Sequence, residues 1–293
     1  MEYNDKSGFF ALGTFDGLHK GHKSVITAGS FLKRNVLLFK EHPQKVLTGN
    51  TPTSLVSKRK EKEILELWGA KPVYLDFKEI AGLSPEDFFY NILINKLNAK
   101  TLSVGFNYRF GKDASGDVGL LRELCRQTGI ELFVSEAVLF ESEPISSTRI
   151  RKCIIDGNME KANKMLGREF SYDFTVVHGD ERGRTIGSPT INQFFEDGFT
   201  VPAYGVYVAL SVIDGKRYPS VTNIGIRPTI GNGKERSETH ILGYSGDLYG
   251  KNITVMPLKK IRDEKNFGDI TSLKKQIDED KEITQKIVSE YLK

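Results

Sequence analysis

The chain has 293 residues, enough for two domains of ordinary size, and its 39% hydrophobic and 27% charged residues are the make-up of a soluble globular protein. Its 42 basic and 38 acidic residues leave a formal net charge of +4, too mild an excess to point to nucleic acid as a partner. No apolar run approaches the length of a membrane span and no signal-peptide pattern is present, while Cys125 and Cys153 are the only cysteines, so the expectation is two reduced thiols in a cytoplasmic protein.

The first predicted element is the apolar run Phe9-Phe10-Ala11-Leu12, a short buried strand. It leads into Gly13-Thr14-Phe15-Asp16-Gly17-Leu18-His19-Lys20-Gly21-His22, after which Lys23–Ala28 reads as the start of a helix. Gly13, Gly17 and Gly21 give the backbone room to turn tightly and approach a ligand. His19 and His22 stand three apart as the helix begins and share a face. Unpaired N–H groups and the dipole at a helix start favour bound phosphate, and two imidazoles beside it suit phosphate transfer at a nucleotide. The bland alternatives are a solvated turn or the edge of a metal site; a zinc site lacks obvious ligands, because no cysteine is near and the next histidine is His42. The stretch is not a P-loop, and its glycines do not follow the dinucleotide spacing. It resembles nucleotidyltransferases that move a nucleoside monophosphate from a triphosphate to an acceptor.

Further strands are predicted at Val36–Phe39, Val73–Leu75, Leu102–Val104 and Leu132–Val134, with helices at Glu61–Trp68, Pro85–Leu97 and Leu120–Gln127. Phe88, Phe89, Ile92, Leu93 and Leu97 form one apolar stripe of the middle helix, read as core. This alternation predicts a doubly wound parallel sheet with helices on both faces, its ligands gathered at the carboxyl ends of the strands. The character changes near Leu166-Gly167-Arg168, which predicts domains at 1–167 and 168–293. Short strands are then expected at Tyr172–Val177, Val206–Ile213, Ser220–Ile224, Thr239–Tyr244 and Ile253–Val255, with a hairpin turn at Asp214-Gly215. They suggest a small antiparallel β-barrel, closed by a C-terminal helix over Thr271–Leu292 whose apolar set is Leu273, Ile277, Ile283, Ile287 and Leu292.

The first half closes on Ile145-Ser146-Ser147-Thr148-Arg149-Ile150-Arg151. Hydroxyls at a helix start followed by arginines hold phosphate well, and they serve equally as an ordinary N-cap with surface arginines. Beyond this, His42-Pro43, Val104–Gly111, Gly183–Asn192, Asn223–Thr229, Glu238–Leu242, Gly246–Gly250 and Ile261–Phe267 occur in the right order over nearly the whole chain. Together these motifs resemble the prokaryotic bifunctional FAD synthetases, which join an N-terminal FMN adenylyltransferase of Rossmann-like nucleotidyltransferase fold to a C-terminal riboflavin kinase barrel.

The resemblance implies that AMP passes from ATP to FMN, giving FAD and pyrophosphate, and that riboflavin is phosphorylated to FMN. ATP, magnesium and the flavins FMN, riboflavin and FAD are then the ligands, with neither nucleic acid nor membrane as partner and a monomer or homo-oligomer as the assembly. It places His19, His22, Gly13, Phe15, Asp16 and Gly21 at the ATP phosphates, and Ser147, Thr148 and Arg151 on the leaving β- and γ-phosphates. His42 and Asn107 fall on the FMN side, Thr190 and Asn192 beside magnesium and ATP, and Glu238 as the base for the riboflavin 5′-hydroxyl, with Arg227 and Arg262 in loops bordering the flavin. Without the resemblance, Thr190 and Asn192 read as turn residues and Glu238 as a surface charge. The chain departs from the family pattern at Glu41 for proline, at Ser188, Ile191 and Gln193 for phenylalanine, alanine and leucine, and at Gly243 for an acidic residue. Ile191 is expected to overpack and Gln193 to bury an amide in a leucine's place. Two alternatives to the two-activity enzyme follow: an adenylyltransferase whose barrel is inactive or structural, and a flavin-binding regulatory protein.

Overall fold

The computed structural model describes residues 8–29, 33–179, 187–226 and 233–292, and the chain forms two compact units. The first is built on β1 (Phe9–Leu12), β2 (Arg34–Phe39), β3 (Ala70–Leu75), β4 (Thr101–Gly105) and β5 (Glu131–Ser135), all parallel, in the order β3-β2-β1-β4-β5. The chain winds outward from β1 to β3 and restarts at β4 beside β1, so the sheet reverses direction between β1 and β4. Loops leaving the carboxyl ends of these two strands flank the crevice where open α/β sheets take ligands.

Helices α1 (Lys20–Ile26), α2 (Pro43–Thr48), α3 (Lys58–Leu67), α4 (Phe77–Ile80), α5 (Pro85–Asp87) and α6 (Val118–Thr128) belong to this unit. A donor–acceptor pair ties α1 to β4, the Ser103 hydroxyl giving 2.7 Å to the Val25 carbonyl. The helix expected over 85–97 is α-helical only in its first residues; Phe88–Lys96 is a π-helix, with Leu97 N–H bonded to the Ile92 carbonyl at 3.0 Å. Wider turns rotate successive residues by less, and the adjacent Phe88 and Phe89 both reach the core together with Leu93 and Leu97. Ile92 packs at the margin of that core.

The second unit holds a five-stranded antiparallel sheet of β8 (Thr190–Phe194), β9 (Gly205–Ile213), β10 (Lys216–Ile226), β11 (Glu235–Ile241) and β12 (Thr254–Arg262), in the order β12-β9-β10-β11-β8. The small β6 (Leu139–Phe140) and β7 (Glu143–Pro144) pair with each other in the first unit. Residues 172–177 were expected as a regular strand; they instead make single bridges, Tyr172 to Val255, Thr175 to Asn252 and Val177 to Asn192, and so join the two edge strands into a closed barrel. The hairpin at Asp214-Gly215 has both residues at positive φ (48° and 76°), the conformation that matches the twist of two-residue hairpins. Inside the barrel the Tyr172, Thr222 and Thr239 hydroxyls are linked in a chain.

Helices α7 (Ser147–Ile155) and α8 (Met159–Leu166) precede the barrel, and all but Ser147 cluster with it, earlier in the chain than the change of sequence character at 166–168. Side-chain and backbone bonds account for this: Asn163 donates to the Pro257 carbonyl of β12, and the Ala203 N–H to the Ile154 carbonyl. Thr53–Ser57 joins the same unit, through Ser54 N–H to the Gly198 carbonyl at 2.7 Å and a Thr53–Thr200 hydroxyl pair at 2.8 Å. The last helix, α9 (Ile270–Tyr291), keeps part of the expected apolar set inward, with Leu273, Ile277 and Ile287 half-buried and Ile287 packed on the core, but its most buried positions are others. Asp280, Thr284 and Val288 are its buried residues, whereas Ile283 and Leu292 are exposed. Val288 packs on Val208, Leu210, Met256 and Leu258, while Asp280 is drawn in by an arginine of β12 described below.

Candidate active sites

In the first unit the loop after β1 is wound unusually tightly. Phe15, Gly17 and Leu18 all have positive φ (51°, 80° and 45°), a conformation that disfavours side chains, yet Phe15 and Leu18 are buried. Burial of both apolar side chains offsets strain of the kind that clusters at functional sites. The fold leaves no room beside them: a Cβ on Gly13 would lie 3.1 Å from the Phe15 ring, and one on Gly21 would lie 3.1 Å from His19 Cε1.

This loop delivers His19 to the N-cap of α1, 4% exposed, where Nδ1 accepts the His22 backbone N–H at 3.3 Å. That bond leaves the proton of the neutral ring on Nε2. The His22 ring stacks on His19 with centroids 3.6 Å apart, and the Phe15 ring meets His22 edge-on at 5.3 Å. Two imidazoles are thus fixed as one block. Ser147 gives its hydroxyl to the Asp16 carbonyl at 2.7 Å, within the first unit. Thr148 and Arg151 follow on α7 within the second unit; Thr148 is exposed, and Arg151 donates Nε to the Thr53 carbonyl at 2.8 Å.

His42 caps α2, accepting the Gln44 N–H on Nδ1 at 3.2 Å. The carboxylate of Glu41 beside it is not left facing the site as a bare charge. Lys45 at 3.0 Å and Lys78 at 3.5 Å pair with it, and the Lys45 hydrogen bond holds its carboxyl below the usual range. Asn107 is exposed just past the end of β4, its Oδ1 within 3.5 Å of the position a Gly105 Cβ would take.

In the second unit Thr190 and Asn192 are strand residues, not turn residues, and the register decides their company. Asn192 stands opposite Glu238, and Glu238 opposite Asn223, so these three residues form one row across β8, β11 and β10. Directly paired residues of an antiparallel ladder share a face. Thr190, two residues along, is opposite His240, whose Nδ1 lies 2.8 Å from the Pro189 carbonyl. Burial pushes the His240 imidazole below its ordinary range. Glu238 is ion-paired with Arg236, its neighbour along the same face. The Gly179 backbone packs so closely on the Asn192 amide that a Cβ there would overlap it.

Arg262, expected in a loop bordering the flavin, is the last residue of β12 and is held by protein partners. Its Nε and Nη2 both bind the Asp280 carboxylate, at 3.1 and 2.8 Å, and Nη1 gives to the Asp263 carbonyl at 3.1 Å. Each nitrogen of the guanidinium therefore has a protein partner, and Arg262 clamps α9 to β12. Arg227, the other predicted flavin arginine, lies outside the described residues.

The departures at Gln193, Ile191 and Gly243 have structural answers, and nothing in the structure explains Ser188. Gln193 is fully buried, and its amide gives both protons to main-chain carbonyls, Phe174 at 2.6 Å and Ile253 at 2.7 Å, across the seam where the barrel closes. Ile191, opposite Thr239, is only half-buried, so its bulk is not forced into a closed core as expected. Gly243 sits at φ +70° just past β11, a backbone position where an acidic side chain would be strained. Sequence reasoning missed Asn223, Arg236 and Glu264 as members of this face. Strand alternation places Arg236 with Glu238, but Asn223 and Glu264 need the register and fold.

Residues 2–149 match the family model described as FAD synthetase, and residues 166–288 that described as riboflavin kinase. A bifunctional riboflavin kinase/FMN adenylyltransferase of Escherichia coli K12 is 35% identical, covering 92% of this chain and 89% of its own length. Proteins of the same description from Buchnera aphidicola (Schizaphis graminum) and Bacillus subtilis are 34% and 33% identical over 94% and 93% of this chain, covering 92% and 90% of their own lengths. A crystal structure from Streptococcus pneumoniae titled a macrolide-efflux protein superposes with a TM-score of 0.86 at 33% identity, covering 94% of this chain and 93% of that one. Among the described residues no helix is long and apolar enough to cross a membrane. With a stacked histidine pair after β1, an Asn–Glu–Asn row on the barrel and both family models in sequence, the chain belongs to the bifunctional riboflavin kinase/FMN adenylyltransferases.

Proposed function

We propose that the first unit joins FMN to ATP through the His19–His22 pair, and that the second phosphorylates riboflavin on the face that carries Glu238. In the first reaction the terminal phosphate of FMN attacks the α-phosphate of ATP; FAD forms and pyrophosphate leaves. His19 and His22 stabilise charge building at that phosphorus, with Gly13, Phe15, Asp16 and Gly21 shaping the loop around the nucleotide. Ser147, Thr148 and Arg151 serve the leaving phosphates, and His42 and Asn107 the FMN side. Positioning and electrostatics supply most of the rate in such transfers, so no covalent intermediate is needed. The observation that carries this reading is the stacking of the two rings at 3.6 Å on a loop whose own backbone is strained.

In the second reaction Glu238 takes the proton of the riboflavin 5′-hydroxyl as it attacks the γ-phosphate; the bond from that phosphorus to the bridging oxygen breaks, FMN forms and ADP leaves. Thr190 and Asn192 offer neutral oxygens on one face of β8, a donor set that fits Mg²⁺, which keeps waters and phosphate oxygens as most of its ligands. Bound there, Mg²⁺ would neutralise charge on the transferring phosphoryl group. ATP and flavins are the partners, in a cytoplasmic monomer or homo-oligomer.

The test uses the whole chain with ATP, Mg²⁺ and either FMN or riboflavin, followed by separation of the flavins. His22→Ala is expected to lower FAD formation from FMN at least tenfold and leave FMN formation from riboflavin intact. Glu238→Gln, which keeps size but cannot accept the proton, is expected to do the reverse. FAD synthesis at the parental rate in His22→Ala would remove the histidine pair from the mechanism.

A further inference from the structure

Among the described residues the side chain of Asn223 has a partner on one side only. Its Nδ2 gives 3.0 Å to Glu264 Oε1, and because a carboxylate only accepts, this bond fixes which way the amide points. The opposite atom, Oδ1, is shielded from solvent and has no hydrogen-bond partner among the described residues. Buried acceptors are rarely left unsatisfied, and each that is calls for an explanation. Glu264 is itself held by shape: its carboxylate lies on the backbone of Gly225, where any Cβ would overlap it, two residues along the same strand from Asn223.

The position of Asn223 says what its free oxygen would meet. Asn192, Glu238 and Asn223 make one row, with Glu238 in the middle. In the kinase reading, on which this inference rests, the phosphate being transferred lies on the Asn192 side and the reacting hydroxyl lies at Glu238. The remainder of an alcohol substrate must then extend away from the phosphate, toward Asn223. In riboflavin the atoms next to the reacting hydroxyl are a polyol chain whose every carbon carries another hydroxyl. We infer that Asn223 Oδ1 accepts a hydrogen bond from one of these polyol hydroxyls and so reads the substrate's side chain, with Glu264 as the positioning residue that holds the amide in place. A neutral amide is suited to this: it accepts from the hydroxyl without adding a further charge to those of Glu238, Arg236 and Glu264.

The experiment compares riboflavin with analogues that each lack one of the 2′-, 3′- or 4′-hydroxyls, as substrates for the full chain and for Asn223→Ala. The parent is expected to lose about tenfold in kcat/KM for one of the three analogues, the order of a single hydrogen bond. Asn223→Ala should use riboflavin about tenfold less well than the parent and should no longer distinguish riboflavin from that analogue. Glu264→Ala is expected to blunt the same discrimination, and Glu264→Gln, whose amide oxygen can still accept from Asn223 Nδ2, to restore it. An unchanged KM for ATP, with a parental melting curve, would show that the barrel is intact in each variant. Should Asn223→Ala discriminate among the analogues as the parent does, the inference is overturned while the kinase reading stands. A parent protein that forms no FMN from riboflavin overturns both, and FAD formation from FMN in the same sample shows the protein to be folded and active in its first unit.

Discussion

At the scale of single residues, small side chains set the precision of the first site. Gly21 lies inside α1, where alanine would ordinarily favour the helix by about 1 kcal/mol. The Cβ of Gly21→Ala would press on His19 Cε1 at 3.1 Å, displacing one ring of the stacked pair. The expected outcome is a split: a melting temperature at or above the parent's, with FAD synthesis reduced about tenfold or more, since small misplacements of positioned groups are costly. Equal losses in both measurements would mean a folding defect. Gln193 illustrates the opposite case, a polar residue where the family pattern has leucine. Gln193→Leu removes both donors from the Phe174 and Ile253 carbonyls at the barrel seam, although it also removes Oε1, which has no partner among the described residues. Buried carbonyls left without donors cost roughly 1–3 kcal/mol each, and the added apolar surface offsets only part of that. Denaturant unfolding should therefore show the variant about 1–3 kcal/mol less stable.

At the scale of elements, the C-terminal helix is held by charge as much as by apolar packing. Asp280, 2% exposed, receives Arg262 on two nitrogens, and Gln276 adds a weaker bond at 3.3 Å. Removing one partner of a buried ion pair strands the other, at a cost of about 3–5 kcal/mol in buried settings. Arg262 is partly exposed, so the cost of Asp280→Ala is expected below that range, about 2–3 kcal/mol, with loosening of α9 visible as faster amide exchange over Ile270–Tyr291. Exchange unchanged in that helix would transfer its anchoring to Val288 and its apolar neighbours. The π-helix at Phe88–Lys96 was hidden for a related reason. Apolar spacing alone distinguishes a helix from a strand, but the winding of each turn is settled by how two adjacent phenylalanines fit one core.

At the scale of the whole molecule, two compact units carry two reactions joined by a shared flavin, since FMN is the product of one and the substrate of the other. A mixture of His22→Ala and Glu238→Gln proteins, each lacking one step, is expected to convert riboflavin to FAD, with FMN passing through solution. The measurement is a time course of all three flavins, in which FMN should accumulate before FAD appears. Failure of the mixture to make FAD, when each variant keeps its remaining activity, would mean that FMN is handed over within one molecule.

Much of this was legible in the chain alone. Alternating apolar runs specified the parallel sheet, and the Gly13–His22 stretch following a strand marked a candidate site, because hydrophobic period and local turn chemistry are properties of neighbouring residues. The motif order located the second half, and Asp214-Gly215 announced its hairpin. Tertiary structure alone decided the rest, and in each instance the reason is pairing between distant residues. Strand register sets Glu238 between Asn192 and Asn223 and leaves Thr190 in a strand. The fold pairs Arg262 with Asp280, buries Asp280 and Thr284 beside Val288 on α9, and supplies two carbonyls that make a buried glutamine acceptable. A sequence states which groups can bond; which of them meet is settled only when segments far apart in the chain are brought within about 3 Å of each other.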